Sequence, residues 1–379
     1  MASRKSLHVA LVGMGFGGSF AGIYLKHPAI RALTIVDTDE KALIATGDLF
    51  QIPRRTTRLD DVIQSSDIDA VHLVTPIPLH AEQTVRVLES GKHCACTVPA
   101  ATSIADLKRI VAAQRKSGKC YMMMETSVYT RYFLYAKTLQ AEGGCGNIQM
   151  LRGAHYQDME NWPPYWMGLP PMWYATHAIS PLLAIAGTRA ERVHCFGSGV
   201  MRDELKSQYN NPFPAETAIY RLDGHPAAME VTRTLFHTVR QYTEGFCIYG
   251  EKKTLEWMME PEEPLLQTIG DLVPGRRGTG NTMERVTPPD RPDLLPESIQ
   301  RFTVGGTFDD TNPQLAFKTG GGHHGSHPHL VHEFVSSIVE NRKPAIDAVT
   351  AADWTAAGIC AHESALNEGK EVLIPDFRP

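Results

Sequence analysis

The stretch Leu7–Phe20, LHVALVGMGFGGSF, decides how the chain begins to fold. Leu7–Val12 is a continuous apolar run of strand length, and Gly13-Met14-Gly15-Phe16-Gly17-Gly18 follows it directly. An apolar run without alternation reads as a strand buried on both faces, as in a parallel sheet covered by helices. Gly13, Gly15 and Gly18 fit the spacing G-x-G-x-x-G. Glycines so placed permit a tight turn, close approach of backbone to a pyrophosphate, and close helix–strand packing. Ser19–Lys26 reads as a helix whose N-terminus faces the phosphates. A second strand, Ala32–Val36, ends in Asp37, nineteen residues past Gly18. A carboxylate there hydrogen-bonds the ribose hydroxyls and repels the extra phosphate of NADP, so the pattern predicts NAD, held by Gly13, Gly15, Phe16, Gly17, Gly18 and Asp37.

The strand–helix rhythm continues. Ala70–Val74 is a third buried strand, followed by Thr75-Pro76-Ile77-Pro78-Leu79-His80 and a helix over Ala81–Ser90. His93–Thr97 is the next strand, and it stops at Pro99. Ligands of open α/β sheets bind at the carboxyl ends of the strands, which adds Thr75, Pro76, His80, Thr97 and Pro99 to the expected cofactor site. Thr97 and Val98, the last side chains of that strand, supply neither acid nor base. A helix over Ile104–Lys116 and a strand over Lys119–Glu125 (KCYMMME) close the domain near residue 125, with the methionines read as core.

Composition sets outer bounds. The chain has 379 residues, room for two domains, and is 42% hydrophobic and 21% charged, as ordinary globular proteins are. A net charge of −5 without a basic block argues against nucleic acid or an anionic membrane surface as partner. No stretch is long enough to span a membrane as a helix. The seven cysteines are scattered, with no zinc-type pair, which suggests small core residues in a reducing compartment. The basic start and first apolar run imitate a signal peptide, but that run is one strand and a glycine loop follows at once, so a cytoplasmic location is expected.

TPIPLHAEQTVRVLESGKH (Thr75–His93), after a G-x-G-x-x-G and an acid-ended second strand, resembles the Gfo/Idh/MocA oxidoreductases. The resemblance implies an α/β fold: an N-terminal Rossmann dinucleotide-binding domain over 1–125 and a C-terminal α+β domain over 126–379. The second domain would carry an open, mainly antiparallel sheet that mediates homodimer or homotetramer formation and binds substrate. The signature of that family at 97–99 is Glu-Lys-Pro, with the lysine assisting proton transfer; here it is Thr97-Val98-Pro99.

A narrower set of motifs resembles glycoside hydrolase family 109 and its relatives: METSVYTR (Met124–Arg131), GAHYQDME (Gly153–Glu160), YATHAISPLLAIAG (Tyr174–Gly187) and GGGHHGSH (Gly320–His327). Those relatives also lack the lysine. They hold NAD tightly, oxidise a sugar hydroxyl, eliminate or add at the ring, and return the hydride. By position, Tyr129 matches a tyrosine proposed there as a base and His177 the histidine near the oxidised hydroxyl. The resemblance implies a sugar or glycoside substrate with carbon 3 as the preferred hydroxyl. The net reaction is then a dehydrogenation, a glycosidase reaction through transient oxidation, or sugar sensing without catalysis.

The residues carry their own reading beside this. His177 follows a Pro/Trp-rich loop and opens an apolar helix over Ala178–Ala186, where a near-neutral imidazole suits removal of a hydroxyl proton; a capping or core histidine is the alternative. Tyr129 acts as acid or base if a cation such as Arg131 lowers its pKa; otherwise it is packing. Glu125 ends a strand, as a substrate ligand or half of a salt bridge. The loop His155–Tyr174 holds three tryptophans, three tyrosines and four prolines. Its aromatic faces suit a sugar ring or else a packed subunit contact, and His155, Asp158 and Trp173 are its substrate candidates. Among His323, His324, His327, His329 and His332 no acid or cysteine is spaced as a metal partner, so His323 and His324 read as substrate hydrogen-bonders and no metal is expected. Ala215–Leu222, Ala227–Phe236 and Gly245–Trp257 alternate as strands. Glu262 to about Thr311 reads as a surface excursion, and Thr350–Asp353 as the capped start of the last long helix.

Overall fold

Every residue of β1 (Leu7–Val12) is buried, and β1 sits at the centre of a six-stranded parallel sheet. The computed structural model describes residues 6–206, 208–238, 242–258, 262–275, 277–304 and 323–378. The described residues divide into two units. The first runs to Arg131 and resumes over Asp290–Ala352 and from Phe377; the second holds Tyr132–Pro289 and Asp353–Asp376. A single boundary at 125/126 misses this return, because an amphipathic helix shows in sequence that it packs but not on what.

The first unit orders its strands β3 (Arg54–Thr56), β2 (Ile30–Val36), β1, β4 (Ala70–Leu73), β5 (His93–Thr97) and β6 (Tyr121–Met124). This is the doubly wound arrangement with its switch point between β1 and β4, where ligands bind. The connecting helices are α1 (Met14–Lys26), α2 (Glu40–Leu49), α3 (Leu59–Gln64), α4 (His80–Glu89) and α5 (Ile104–Ser117). Helix α1 starts at Met14, five residues before the sequence pattern places it, so Gly15, Gly17 and Gly18 lie inside its first turns. Weak helix propensity hides this start; a Cβ on Gly17 would come 3.3 Å from Val74 Cβ, which is the packing that outweighs propensity.

The second unit opens with α6 (Arg131–Ala141) and builds a nine-stranded sheet from β7 (Ile148–Tyr156), β8 (Ala190–Ser198), β9 (Ala215–Leu222), β10 (His225–Thr234), β11 (Thr243–Gly250), β12 (Lys253–Trp257), β13 (Leu265–Leu272), β14 (Thr279–Arg285) and β15 (Val372–Leu373). Its order is β14-β13-β12-β11-β7-β10-β9-β8-β15, antiparallel among the described residues except where β7 pairs with β10. The segment Gly245–Trp257 is a hairpin rather than one strand, β11 turning into β12 after Gly250. The surface excursion contains the β13–β14 hairpin, whose second strand is exposed at nearly every position and so leaves no apolar alternation to read.

Helix α7 (Thr176–Ala186) covers one face, packed on β7, β10 and β11. A Cβ on Gly153 would stand 2.3 Å from Ala178 O, so glycine is what lets α7 lie this close. The opposite face carries Met150, Phe196 and Ile219 exposed, beside the ion pair Arg152–Glu230. Three more helices follow: α8 (Asp203–Lys206) in the second unit, then α9 (Glu297–Gln300) and α10 (Ser326–Val339) in the first. Last is α11 (Ala348–Leu366), which begins two residues before Thr350 and is capped by Asp347, whose Oδ1 accepts Thr350 N–H at 2.9 Å. No helix of the described residues is long and apolar enough to cross a membrane.

Candidate functional site

At the switch point of the first unit the backbone makes a cradle. Gly13 lies at φ 94°, and a Cβ there would fall 2.2 Å from Val74 O, so only glycine turns the chain from β1 into α1. A Cβ on Gly15 would meet no atom within 4 Å, which leaves open space against the first turn of α1. Backbone N–H groups at a helix N-terminus favour an anion there. Asp37 closes the far side: its Oδ2 accepts Met14 N–H at 2.6 Å and Oδ1 accepts Asp39 N–H at 2.8 Å. Each carboxylate oxygen has a second acceptor position, enough for a ribose hydroxyl. An open cradle of backbone donors beside an anionic carboxylate fits NAD.

The neighbouring loops are positioned rather than reactive. His80 is buried, with Nε2 2.7 Å from Thr75 O and Nδ1 2.8 Å from Pro99 O, so it staples the two loops together. Burial pushes its pKa down against the pull of those carbonyls. Thr97 Oγ1 donates to Leu73 O at 3.4 Å, and Val98 is buried. Phe16 remains 46% exposed and meets the rings of His323 and His327 edge-on.

Glu125 is buried and caps the short 3-10 turn Thr126–Tyr129, accepting Ser127 N–H at 3.0 Å. Tyr129 departs from expectation. Burial, and then the charge of Glu333, raise its pKa, with Arg342 opposing. Arg131 instead lies 3.7 Å from Asp290. Tyr129 thereby keeps its phenol proton, and no cation lowers its pKa as the sequence reading required. His323 Nδ1 lies 3.1 Å from Thr126 Oγ1, and His323 and His324 both have left-handed backbone, at φ 57° and 45°. Gly320–Gly322, which precede them, lie outside the described residues. His327 stays beside His323, the ring centroids 5.8 Å apart, while the others disperse: His329 Nε2 lies 3.3 Å from Asp290 O and His332 Nδ1 lies 3.1 Å from His27 Nε2.

In the second unit the strand registers build a buried polar row. Glu216 of β9 pairs with Arg233 of β10, Arg233 with His155 of β7, and His155 with Glu244 of β11. All four side chains are almost fully buried. Burial lowers the Arg233 pKa to about 10, so the guanidinium stays charged at neutral pH. It donates to Tyr174 O at 2.9 Å, His155 O at 3.0 Å, Thr234 O at 2.9 Å and Gln157 Oε1 at 2.9 Å.

His177, on the first turn of α7, completes this row. Its Nδ1 lies 3.1 Å from Glu244 Oε1 and its Nε2 lies 3.2 Å from the Tyr174 hydroxyl. Tyr242 donates to Glu244 Oε2 at 3.1 Å. The His155 ring packs edge-on against His177 at 5.1 Å and Tyr242 at 5.2 Å. A carboxylate this close to Nδ1 favours the proton on that nitrogen and leaves the lone pair at Nε2, on the side of the Tyr174 hydroxyl, where an imidazole can exchange a proton with a hydroxyl.

Of the substrate candidates in this unit, the structure brings His155 beside His177. Trp173 turns elsewhere, to Tyr209 and His362 at 5.9 and 5.8 Å, and Asp158 accepts Glu160 N–H at 3.1 Å within a turn. Tyr174, Tyr242, Glu244 and Arg233 are absent from the sequence-based set. Strand parity could have found Arg233, since Met229 and Val231 place it on the buried side. Glu244 sits just outside the segment read as a strand.

The sequence model of the Gfo/Idh/MocA group, described as an oxidoreductase family with an NAD-binding Rossmann fold, matches residues 7–125. A glycosyl hydrolase family 109 protein of Porphyromonas gingivalis is 31% identical over 196 residues, 47% of this chain and 42% of that protein. One from Streptomyces niveus is 22% identical over 403 aligned positions, covering 99% of this chain and 78% of the relative. The chain spans about two fifths of the length of the Bacteroides, Phocaeicola and Porphyromonas relatives it matches. Among solved structures, levoglucosan dehydrogenase in complex with NADH and levoglucosan superposes with a TM-score of 0.77 at 20% identity, over 98% of this chain and all of that one. That likeness extends the shared fold to both units.

Proposed function

We propose that the chain, whose residues 7–125 match the Gfo/Idh/MocA model described as an oxidoreductase family with an NAD-binding Rossmann fold, is an NAD-dependent enzyme acting at a secondary hydroxyl of a sugar or glycoside, with carbon 3 preferred. The observation that carries this reading is the buried His177–Glu244 pair with Tyr174 at the other imidazole nitrogen. Gly13, Gly15, Phe16, Gly17, Gly18 and Asp37 would hold NAD, which when bound supplies the hydride acceptor. As hydride leaves a carbinol carbon, the attached hydroxyl must lose its proton. Val98 offers no group for that transfer, so it falls to His177 Nε2, with Glu244 stabilising the imidazolium. Tyr129, which keeps its phenol proton, assists in this reading through hydrogen bonding. Glu125, Arg131, His155, His323 and His324 are the substrate contacts in this reading.

The relatives named for glycosyl hydrolase family 109 favour a second reading, cleavage of a glycosidic bond through transient oxidation. The purified protein, with and without added NAD, is to be followed on α- and β-linked aryl glycosides for aglycone release and NADH absorbance together. NADH rising with a keto-sugar while the glycosidic bond stays intact supports a dehydrogenase. Aglycone release with no NADH and no need for added NAD supports the glycosidase. NAD binding without turnover on any sugar sinks both.

Two finer points belong here. The open sheet face bearing Met150, Phe196 and Ile219 supports a homodimer or homotetramer through that face, which light scattering on an Ile219→Lys variant tests. The cysteines are all free thiols, which supports a reducing, cytoplasmic setting.

A further inference from the structure

Trp162 is 43% exposed, on a turn tied down by several hydrogen bonds. Its N–H closes a turn on Met159 O at 3.2 Å, with Asn161 at φ 63°. Asp158 Oδ1 accepts Glu160 N–H at 3.1 Å, and the Glu160 carboxylate takes two bonds from Arg202, at 2.9 and 2.6 Å. Pro163 and Pro164 follow immediately. Asparagine tolerates left-handed backbone and proline pre-sets φ, so the indole is presented by a turn with little freedom left to lose.

The indole is also the outer end of a line of rings. Trp162 meets Trp166 at 5.6 Å and 81°, the buried Trp166 meets Tyr174 at 4.7 Å and 80°, and Tyr174 meets His177 at 5.3 Å and 90°. Rings packed perpendicular at these separations are in favourable edge-to-face contact, so the ladder is rigid from the proton-accepting histidine to the surface. A lone exposed apolar side chain needs no explanation. An exposed indole on a pinned turn, joined by edge-to-face rings to His177, is a preorganised surface for another ring.

We propose that Trp162 is the floor of an outer subsite that binds a second ring through its apolar face, so that the substrates are two-ring glycosides rather than free monosaccharides. This rests on His177 being the group that handles the substrate hydroxyl. The second ring is either a sugar or an aryl aglycone, since both offer a flat apolar face to an indole.

The test measures kcat/KM for one monosaccharide, its phenyl glycoside and a disaccharide of it, in wild type, Trp162→Ala and Trp162→Phe. Removing the indole is expected to cost the two-ring substrates about 10–100-fold and the monosaccharide less than about twofold, with Trp162→Phe retaining most activity. A loss confined to the phenyl glycoside, or to the disaccharide, identifies which ring the subsite takes. Equal losses on all three substrates, no loss on any, or a smaller particle in size-exclusion chromatography would overturn the proposal. If wild type turns over none of them, the reading of His177 fails by itself. Calorimetric titration with the phenyl glycoside then decides the subsite: binding that Trp162→Ala abolishes upholds it, and binding unaffected by the variant, or absent in wild type, ends it.

Discussion

Glu244 Oε1 lies 3.1 Å from His177 Nδ1, and neither side chain is more than marginally exposed. A carboxylate at one imidazole nitrogen raises the basicity of the other and fixes its direction. Tyr242 holds the second carboxylate oxygen at 3.1 Å, so the pair is oriented from both ends. His177→Ala is expected to lose about 10³-fold or more in kcat. Glu244→Gln, which keeps shape but removes charge, should lose about 10²-fold and move the acid limb of the pH–rate profile. A Glu244→Gln variant with wild-type pH dependence would show the carboxylate to be structural only.

Val98, where the resemblance to the Gfo/Idh/MocA oxidoreductases implies a lysine, is 8% exposed. A lysine there would bury an ammonium, which is costly. Val98→Lys is therefore expected to leave kcat no higher than wild type and to cost on the order of 1–3 kcal/mol of stability. Steady-state kinetics beside a urea titration checks both; a rise in kcat would mean that the first unit can handle the proton.

Asp37 does two jobs. It accepts Met14 N–H at the start of α1, and in the proposed cofactor site its carboxylate would oppose a 2′-phosphate. Asp37→Ser should weaken NAD about tenfold and narrow the preference for NAD over NADP, since a hydroxyl keeps a hydrogen bond but not the repulsion. Titrating both cofactors by fluorescence measures this. Unchanged discrimination would remove Asp37 from the ribose site.

The legible and illegible parts of this chain differ for a physical reason. Unbroken apolar strands, each followed by its helix, announce the first sheet because burial on both faces removes alternation. His177 was readable from its place at a loop exit. Glu244 was not, because a buried acid at a strand end looks like any solvent-facing charge until the register sets it opposite His155. Tyr174 is hidden among the aromatics of its loop, and its neighbour Trp173, the candidate the sequence offers, turns toward His362. Sequence gives the parity of a strand but not the partner across it, and this site is built from partners across strands.

The first unit should lose stability steeply in mild acid. His27 and His332 face each other at 3.1 Å between the end of α1 and α10. Burial, and then the charge of His332, hold the His27 pKa down to about 4. Burial lowers His332 as well, against the pull of Glu333 and Glu340 and with Arg342 assisting. His72 and His327, each pushed down to about 3 by burial, add to the effect. An unfolded chain has these groups near 6.5. The folded state therefore binds fewer protons than the unfolded one between about pH 6.5 and 4. Stability is full above 6.5 and falls as the pH drops through that window, by up to about 1.4 kcal/mol per pH unit for each group. Urea midpoints at pH 7.5, 6.0 and 5.0 should decline accordingly, and His27→Gln should shallow the decline by close to one proton. Parallel profiles for variant and wild type would mean that His27 stays neutral in the unfolded chain too, or is protonated in the folded one, and would remove it from the linkage.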